Sequence, residues 1–144
     1  MLRTGNDITL VGYGPFINVL LETAEHLAER GIQAEVVKLG CITPLDPEPV
    51  LNSVRKTGHL LVAEEAVSAG CVGQRLAAAL LLQGVPVKGF ALENLGEQYV
   101  PHGTVDQLRH MCGLSAEQLT KRAEEVLRHG EKAAGCAADG AGIF

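Results

Sequence analysis

Short apolar runs alternate with longer amphipathic ones through most of this chain. Ile8-Thr9-Leu10-Val11 has strand length and ends at Gly12-Tyr13-Gly14-Pro15, where glycines permit a sharp turn and Pro15 suits a first helical position. From Phe16 to Arg30, apolar residues at Ile17, Leu20, Leu21, Ala24, Leu27 and Ala28 keep the spacing of one helical face, and Gly31 supplies a stop. A second strand is predicted over residues 34–39. Asp46-Pro47-Glu48 reads as a cap, a first-turn proline and a dipole-complementing acid, opening a short helix that reaches about Lys56. Leu60-Leu61-Val62-Ala63 is apolar throughout, as expected of a strand covered on both faces. A helix is predicted from about 70 to 83, then a strand over 85–92 with Pro86 near its start or edge.

The remainder reads as helical. Thr104 can cap a short helix over 106–111, closed by Gly113. Ser115 and Gln118 have capping-box spacing, and their helix should continue to about Arg128. Residues 1–130 form the expected domain, and the Gly/Ala-rich segment 131–144 reads as a flexible tail. Strand alternating with helix predicts an α/β fold. With right-handed crossovers this becomes a three-layer α/β/α sandwich around a mostly parallel (mixed) sheet of about five strands.

Composition narrows the function classes. A chain of 144 residues can bury a core without metals or disulfides. With aromatics at 3% and no Trp, that core must be built from Leu, Val, Ile and Ala. The net charge of −5 and singly scattered Lys and Arg argue against a nucleic-acid partner. The longest apolar stretch, Leu76 to Leu82, is far short of a membrane span, and Met1 to Asp7 lacks the apolar core of a signal peptide. Cys41, Cys71, Cys112 and Cys136 are scattered without a C-x-x-C pair, which suits reduced thiols in a cytoplasmic protein. Cys41 and Cys71, each beside a glycine, are expected to be small buried residues.

Several residues invite a chemical reading. Gly12-Tyr13-Gly14 supplies two glycines of a dinucleotide turn, but Ile17 takes the third place and no acid ends the second strand; Glu35 stands at its beginning. Glu64-Glu65 follows the third strand, at the edge where α/β proteins place their sites. Adjacent carboxylates there could serve a metal or acid–base work. In extended chain they point to opposite faces, so one should cap the next helix or pair across an interface while the other meets solvent. His102, between Pro101 and Gly103, could exchange protons or could bond backbone and fix the turn before Thr104. His26, His110 and His129 fall on helical surfaces, and His59 is uninformative.

Taken in order, these motifs resemble the C-terminal domain of the thiamine diphosphate-dependent transketolase superfamily. The residues that carry the resemblance are Asn6-Asp7-Ile8-Thr9-Leu10-Val11-Gly12-Tyr13-Gly14, Ile42-Thr43-Pro44-Leu45-Asp46 and Val62-Ala63-Glu64-Glu65. Tyr99-Val100-Pro101-His102-Gly103, Asp106-Gln107-Leu108 and Gly113-Leu114-Ser115 are similar to the 1-deoxy-D-xylulose-5-phosphate synthase branch and its transketolase-like relatives. Gly40, Ala66 and Leu95-Gly96-Glu97-Gln98-Tyr99 depart from the usual pattern.

The resemblance implies a packing and dimerisation domain without catalytic, cofactor-binding or metal-binding residues of its own. In the parent transferase, thiamine diphosphate and magnesium would lie between a diphosphate-binding and a pyrimidine-binding domain of a homodimer. Glu64, Glu65 and His102 are the candidate interface or structural edge residues. Two other readings stay open: the C-terminal part of a 2-oxo acid dehydrogenase E1 β subunit, and a stand-alone small-molecule binding module.

Overall fold

A computed structural model describes the backbone of residues 1–139 and side chains through residue 129. Four strands, β1 (Ile8–Tyr13), β2 (Ala34–Leu39), β3 (His59–Ala63) and β4 (Gly89–Glu93), form one parallel sheet in the order β2-β1-β3-β4. Arg3 adds an isolated antiparallel bridge to Val36 on the outer edge of β2, so the sheet has four strands and one opposed bridge where about five strands were expected. The helices are α1 (Ile17–Glu29), α2 (Glu48–Thr57), α3 (Val72–Leu82), α4 (Val105–Met111) and α5 (Ala116–Asp139). The sheet between its helical layers is the α/β sandwich that the alternation predicted.

The period-2 alternation of the strands divides the core in two. Ile8, Leu10, Val36, Leu61 and Ala63 face α1 and α5, where they meet Leu20, Leu27, Leu119 and Ala123. Val11, Val37, Leu39, Leu60 and Val62 face α2 and α3, against Val50, Leu51, Val54, Leu76 and Leu80. Leucine, valine, isoleucine and alanine do fill both halves, with Phe16 as the one buried aromatic in them. On the α2 side Thr9 is buried, and its hydroxyl reaches those of Ser53 (2.7 Å) and Thr57 (2.8 Å), which removes the penalty of burying all three.

Several boundaries move from their sequence-based positions. The fourth strand begins at Gly89 rather than 85. Pro86 has no N–H for a ladder, Val85 N–H donates to Leu80 O (2.9 Å) and Lys88 N–H to Gly58 O (2.7 Å). The final helix runs past Arg128 to Asp139, through an Ala-rich stretch of good helix formers. Residues 140–144, the end of the segment expected to be a flexible tail, lie outside the described residues. Cys41 is exposed, not buried as expected, because it sits in the loop after β2; Cys71 is buried. No helix among the described residues is long and apolar enough to cross a membrane.

Candidate functional site

The chain leaves β1 toward β2 on one side of the sheet and later places β3 on the other. The carboxyl ends of β1 and β3 therefore flank the topological switch point, where open α/β sheets bind ligands. Tyr13 ends β1, and Glu64 follows β3 directly. Gly14, at φ +61°, turns the chain out of β1 in a conformation that other residues reach only with strain, and it opens one turn of 3-10 helix, Gly14–Phe16, with Pro15 second, before α1.

Glu64 fills this crevice. Its side chain is 1% exposed. One carboxylate oxygen accepts from Gly73 N–H (2.9 Å). The other accepts from Val72 N–H (3.2 Å) and Tyr13 O–H (2.8 Å). Val72 and Gly73 open α3, whose first N–H groups have no partner within the helix and whose dipole favours a negative charge. Gly73 is required by this approach: a Cβ there would lie 3.1 Å from Glu64 Oε1 and would collide with Leu92. The carboxylate thus occupies the place where a phosphate would meet a helix N-terminus.

Burial, with the hydrogen bond to Glu64 and its charge, pushes the Tyr13 hydroxyl well above its ordinary range. Burial also raises the Cys71 thiol. The carboxylate of Glu64 adds to that, and backbone N–H groups of Gln74 and Gly73 partly oppose it. Neither group is prepared to act as a base or nucleophile near neutral pH. Asn94 completes the edge: its Oδ1 accepts from Ser68 O–H and Gly96 N–H, both at 2.9 Å, and its Nδ2 reaches Cys71 Sγ at 3.8 Å. With Leu95 N–H to Ala66 O and Ser68 N–H to Gly96 O, it laces the loops after β3 and β4 together.

Glu65 points the other way. It is exposed and receives Arg109 Nε–H at 2.6 Å, and that guanidinium lies 5.5 Å from the centre of the Phe16 ring. This contact fastens α4 to the loop after β3. His102 is exposed and stands apart, above a shallow cavity shared with Asp106, Gln107, His110 and Met111. Its ring makes no hydrogen bond among the described residues. The turn after His102 is closed by a capping box, with Thr104 Oγ accepting from Gln107 N–H and Gln107 Oε1 from Thr104 N–H. The structure joins Glu64 to Tyr13 and Glu65 to Arg109, and it leaves His102 with neither pair.

Three residues on this edge were missed by sequence reading. Tyr13 and Asn94 gain their roles only through partners 51 and 26 positions distant. Gly73 did carry a signal, a glycine at the start of a helix, where close approach is one reason for the choice. A fourth, Glu35, lies at the amino end of the sheet; it is buried, pairs with Lys56 and accepts Gly5 N–H at 3.3 Å.

Thiamine diphosphate with magnesium, implied by the family resemblance for the parent enzyme, needs oxygen ligands for the metal and donors for the diphosphate. Among the described residues no group of three or more His, Cys, Asp or Glu could hold a metal ion. The helix N-terminus at the switch point is already taken by Glu64. The described residues do not compose such a site.

This is a doubly wound α/β domain whose ligand crevice is closed by its own carboxylate. The family model "Transketolase, C-terminal domain" matches residues 1–119, and the chain belongs to that family. The 1-deoxy-D-xylulose-5-phosphate synthase of Desulforudis audaxviator is 35% identical over 128 residues, covering 89% of this chain and 20% of that enzyme. The synthase of Gloeothece citriformis is 36% identical over 130 residues, covering 89% and 20%. The chain therefore spans about a fifth of the length of the curated relatives it matches.

Among solved structures, a chain described as "Split gene transketolase, inactive beta4 tetramer" superposes with a TM-score of 0.76 at 29% identity, over 90% of this chain and 42% of that one. A transketolase mutant from Pichia stipitis, H261F, shares the fold at 16% identity and a TM-score of 0.62, over 91% and 18%.

Proposed function

We propose that this chain is the packing and dimerisation domain of a thiamine diphosphate-dependent transferase of the 1-deoxy-D-xylulose-5-phosphate synthase or transketolase type, and that it is catalytically silent by itself. The observation that carries this reading is the closed switch point. Where a ligand-binding relative of the fold offers an open helix N-terminus, this chain offers a carboxylate bound to Val72 N–H, Gly73 N–H and Tyr13 O–H. The same edge exposes Val67, Tyr99, Val105 and Met111 on the segments after β3 and β4, a surface suited to another protein domain. Its occupants in this reading are the diphosphate- and pyrimidine-binding domains of the same enzyme, with Glu65 and His102 beside the contact. Thiamine diphosphate and magnesium sit between those domains, and the assembly is a cytoplasmic homodimer.

The parent reaction would decarboxylate pyruvate and condense the two-carbon remainder with a glyceraldehyde phosphate, or transfer a two-carbon unit between sugars. The cofactor supplies the carbanion chemistry when bound. This chain contributes rigidity at a domain boundary. The split-gene neighbour supports a second form of the same reading, in which the domain is delivered on a separate subunit.

Calorimetric titration of thiamine diphosphate and magnesium into the 144-residue chain should give no saturable heat in the micromolar range; micromolar binding overturns the claim of silence. In the complete enzyme, E65A and H102A should weaken dimerisation or turnover. Wild-type values for both would remove these residues from the interface.

A further inference from the structure

The geometry points to an interface between two copies of this chain, formed by the free edge of β4 and the outer face of α3. The two edges of the sheet are finished differently. β2 is covered by the amino-terminal arm, where Leu2 N–H donates to Val36 O (2.8 Å) and Val36 N–H to Arg3 O (2.9 Å). β4 has β3 on one side and no strand on the other. Glu64 N–H donates to Glu93 O, so the backbone groups of Gly89, Ala91 and Glu93 turn inward to β3, and those of Phe90 and Leu92 turn outward. The outward groups have no hydrogen-bond partner among the described residues. Pro86 and Lys88 stand before the strand, but no proline, lysine or bulge within Gly89–Glu93 guards the edge.

The side chains beside this edge are apolar. A surface helix turns polar residues to water, whereas α3 turns Ala78, Leu81 and Leu82, with the two leucines 83% and 88% exposed. Between α3 and β4 a groove of about 300 Å³ is lined by Ala77, Leu80, Leu81, Val85, Val87 and Phe90. Knob and hole thus stand on one surface, as a contact between identical patches requires. Lys88 is the one charged residue from 76 to 92. In a chain of net charge −5, this is where two copies can meet without like-charge repulsion, and it gives a charged partner little to bind.

A two-fold axis normal to the sheet sets β4 antiparallel to β4 of the second copy. Phe90 then lies opposite Leu92 of that copy, and each such pair exchanges N–H and C=O. The same axis brings both α3 helices to one face, where the leucines of each copy reach the other's groove. Leu81, Leu82 and Phe90 leave on the order of 400 Å² of apolar surface open. Pairing of the edges adds the backbone of β4, which brings the contact toward the roughly 800 Å² per partner of a stable dimer. The interface uses none of the exposed residues assigned above to the carboxyl edge, and it does not depend on the identity of the parent enzyme.

Sedimentation equilibrium of the 144-residue chain should show a monomer–dimer equilibrium with a dissociation constant of about 50 µM. L81K and L82K fall at exposed positions and move the net charge toward zero. Each should weaken the dimer at least about tenfold with the circular dichroism unchanged. Amide hydrogen exchange read by NMR locates the contact. At about 500 µM, the Phe90 and Leu92 amides should exchange about fivefold more slowly in wild type than in the L81K/L82K double variant, while Ala91, bound to β3, is protected alike in both.

A chain that stays monomeric at about 500 µM, a dimer indifferent to both substitutions, or a dimer whose Phe90 and Leu92 amides exchange as in the double variant would overturn the proposal. A monomeric result assigns this face to a different domain instead.

Discussion

Glu64 and Glu65 are chemically the same residue one position apart, and their removal should have very different consequences. Glu64→Ala strips the partner from two buried backbone N–H groups at the start of α3 and from the Tyr13 hydroxyl. Loss of a helix cap costs about 0.5–2 kcal/mol, and each hydrogen bond to a charged group is worth about 1.5–3 kcal/mol. These contributions overlap, so we expect a loss of about 3–5 kcal/mol, a large part of the roughly 5–15 kcal/mol that stabilises a domain of this kind.

Glu65→Ala breaks an exposed ion pair and should cost at most about 1 kcal/mol. Urea unfolding followed by circular dichroism separates the two. With a slope of about 2 kcal/mol per molar urea, the midpoint should fall by about 1.5–2.5 M for E64A and by less than about 0.5 M for E65A. Tyr13→Phe should lie between them, since Glu64 keeps both backbone donors. If E64A and E65A unfold within about 0.5 M of each other, the carboxylate does not hold the crevice shut and the reasoning fails.

The remaining predictions concern titration and thiol reactivity. Burial alone would raise the Glu35 carboxyl, but the Lys56 ammonium, the Ser53 hydroxyl and the Gly5 N–H outweigh it and hold the group below its usual value near 4.5. A lowered folded value means the contribution to stability is complete above the ordinary carboxyl range and is lost as pH falls through the folded value. The gap in unfolding midpoint between wild type and E35Q should therefore narrow from neutral pH to about pH 3, and a gap independent of pH refutes the pairing. Cys41, exposed, should be alkylated by iodoacetamide in the folded chain, whereas Cys71, buried and with its thiol raised, should react only after denaturation. Peptide mass spectrometry reads both sites, and equal labelling of the two under native conditions contradicts the described burial.

The fold could be read from the sequence because its cause is local. Apolar runs such as Leu60-Leu61-Val62-Ala63 need cover on both faces; the stripe that begins at Ile17 belongs to the layer on one side, with Leu119 and Ala123, and Val50, Leu51 and Val54 lie on the other. The opposite orientations of Glu64 and Glu65 follow from strand geometry in the same way. What could not be read depends on contacts between distant positions. Tyr13 gives no sign in its own neighbourhood that it will meet a carboxylate 51 residues later. His59 Nδ1 meets the carbonyl oxygen of Asp7, 52 positions earlier, and nothing in the sequence around His59 marks that contact. The displaced start of β4 shows the limit of patterning: Val85 and Val87 suit a strand, but Pro86 and the claims of Leu80 O and Gly58 O on neighbouring N–H groups decide otherwise.

The carboxylate in the crevice also bears on when this domain is ordered. A fold that leaves its helix N-terminus open gains stability from a ligand only in proportion to how much ligand is present. Here the anion is part of the chain, so the edge is as firm in a starved cell as in a replete one. The cap is intramolecular, so its contribution at this edge does not vary with the concentration of any solute anion.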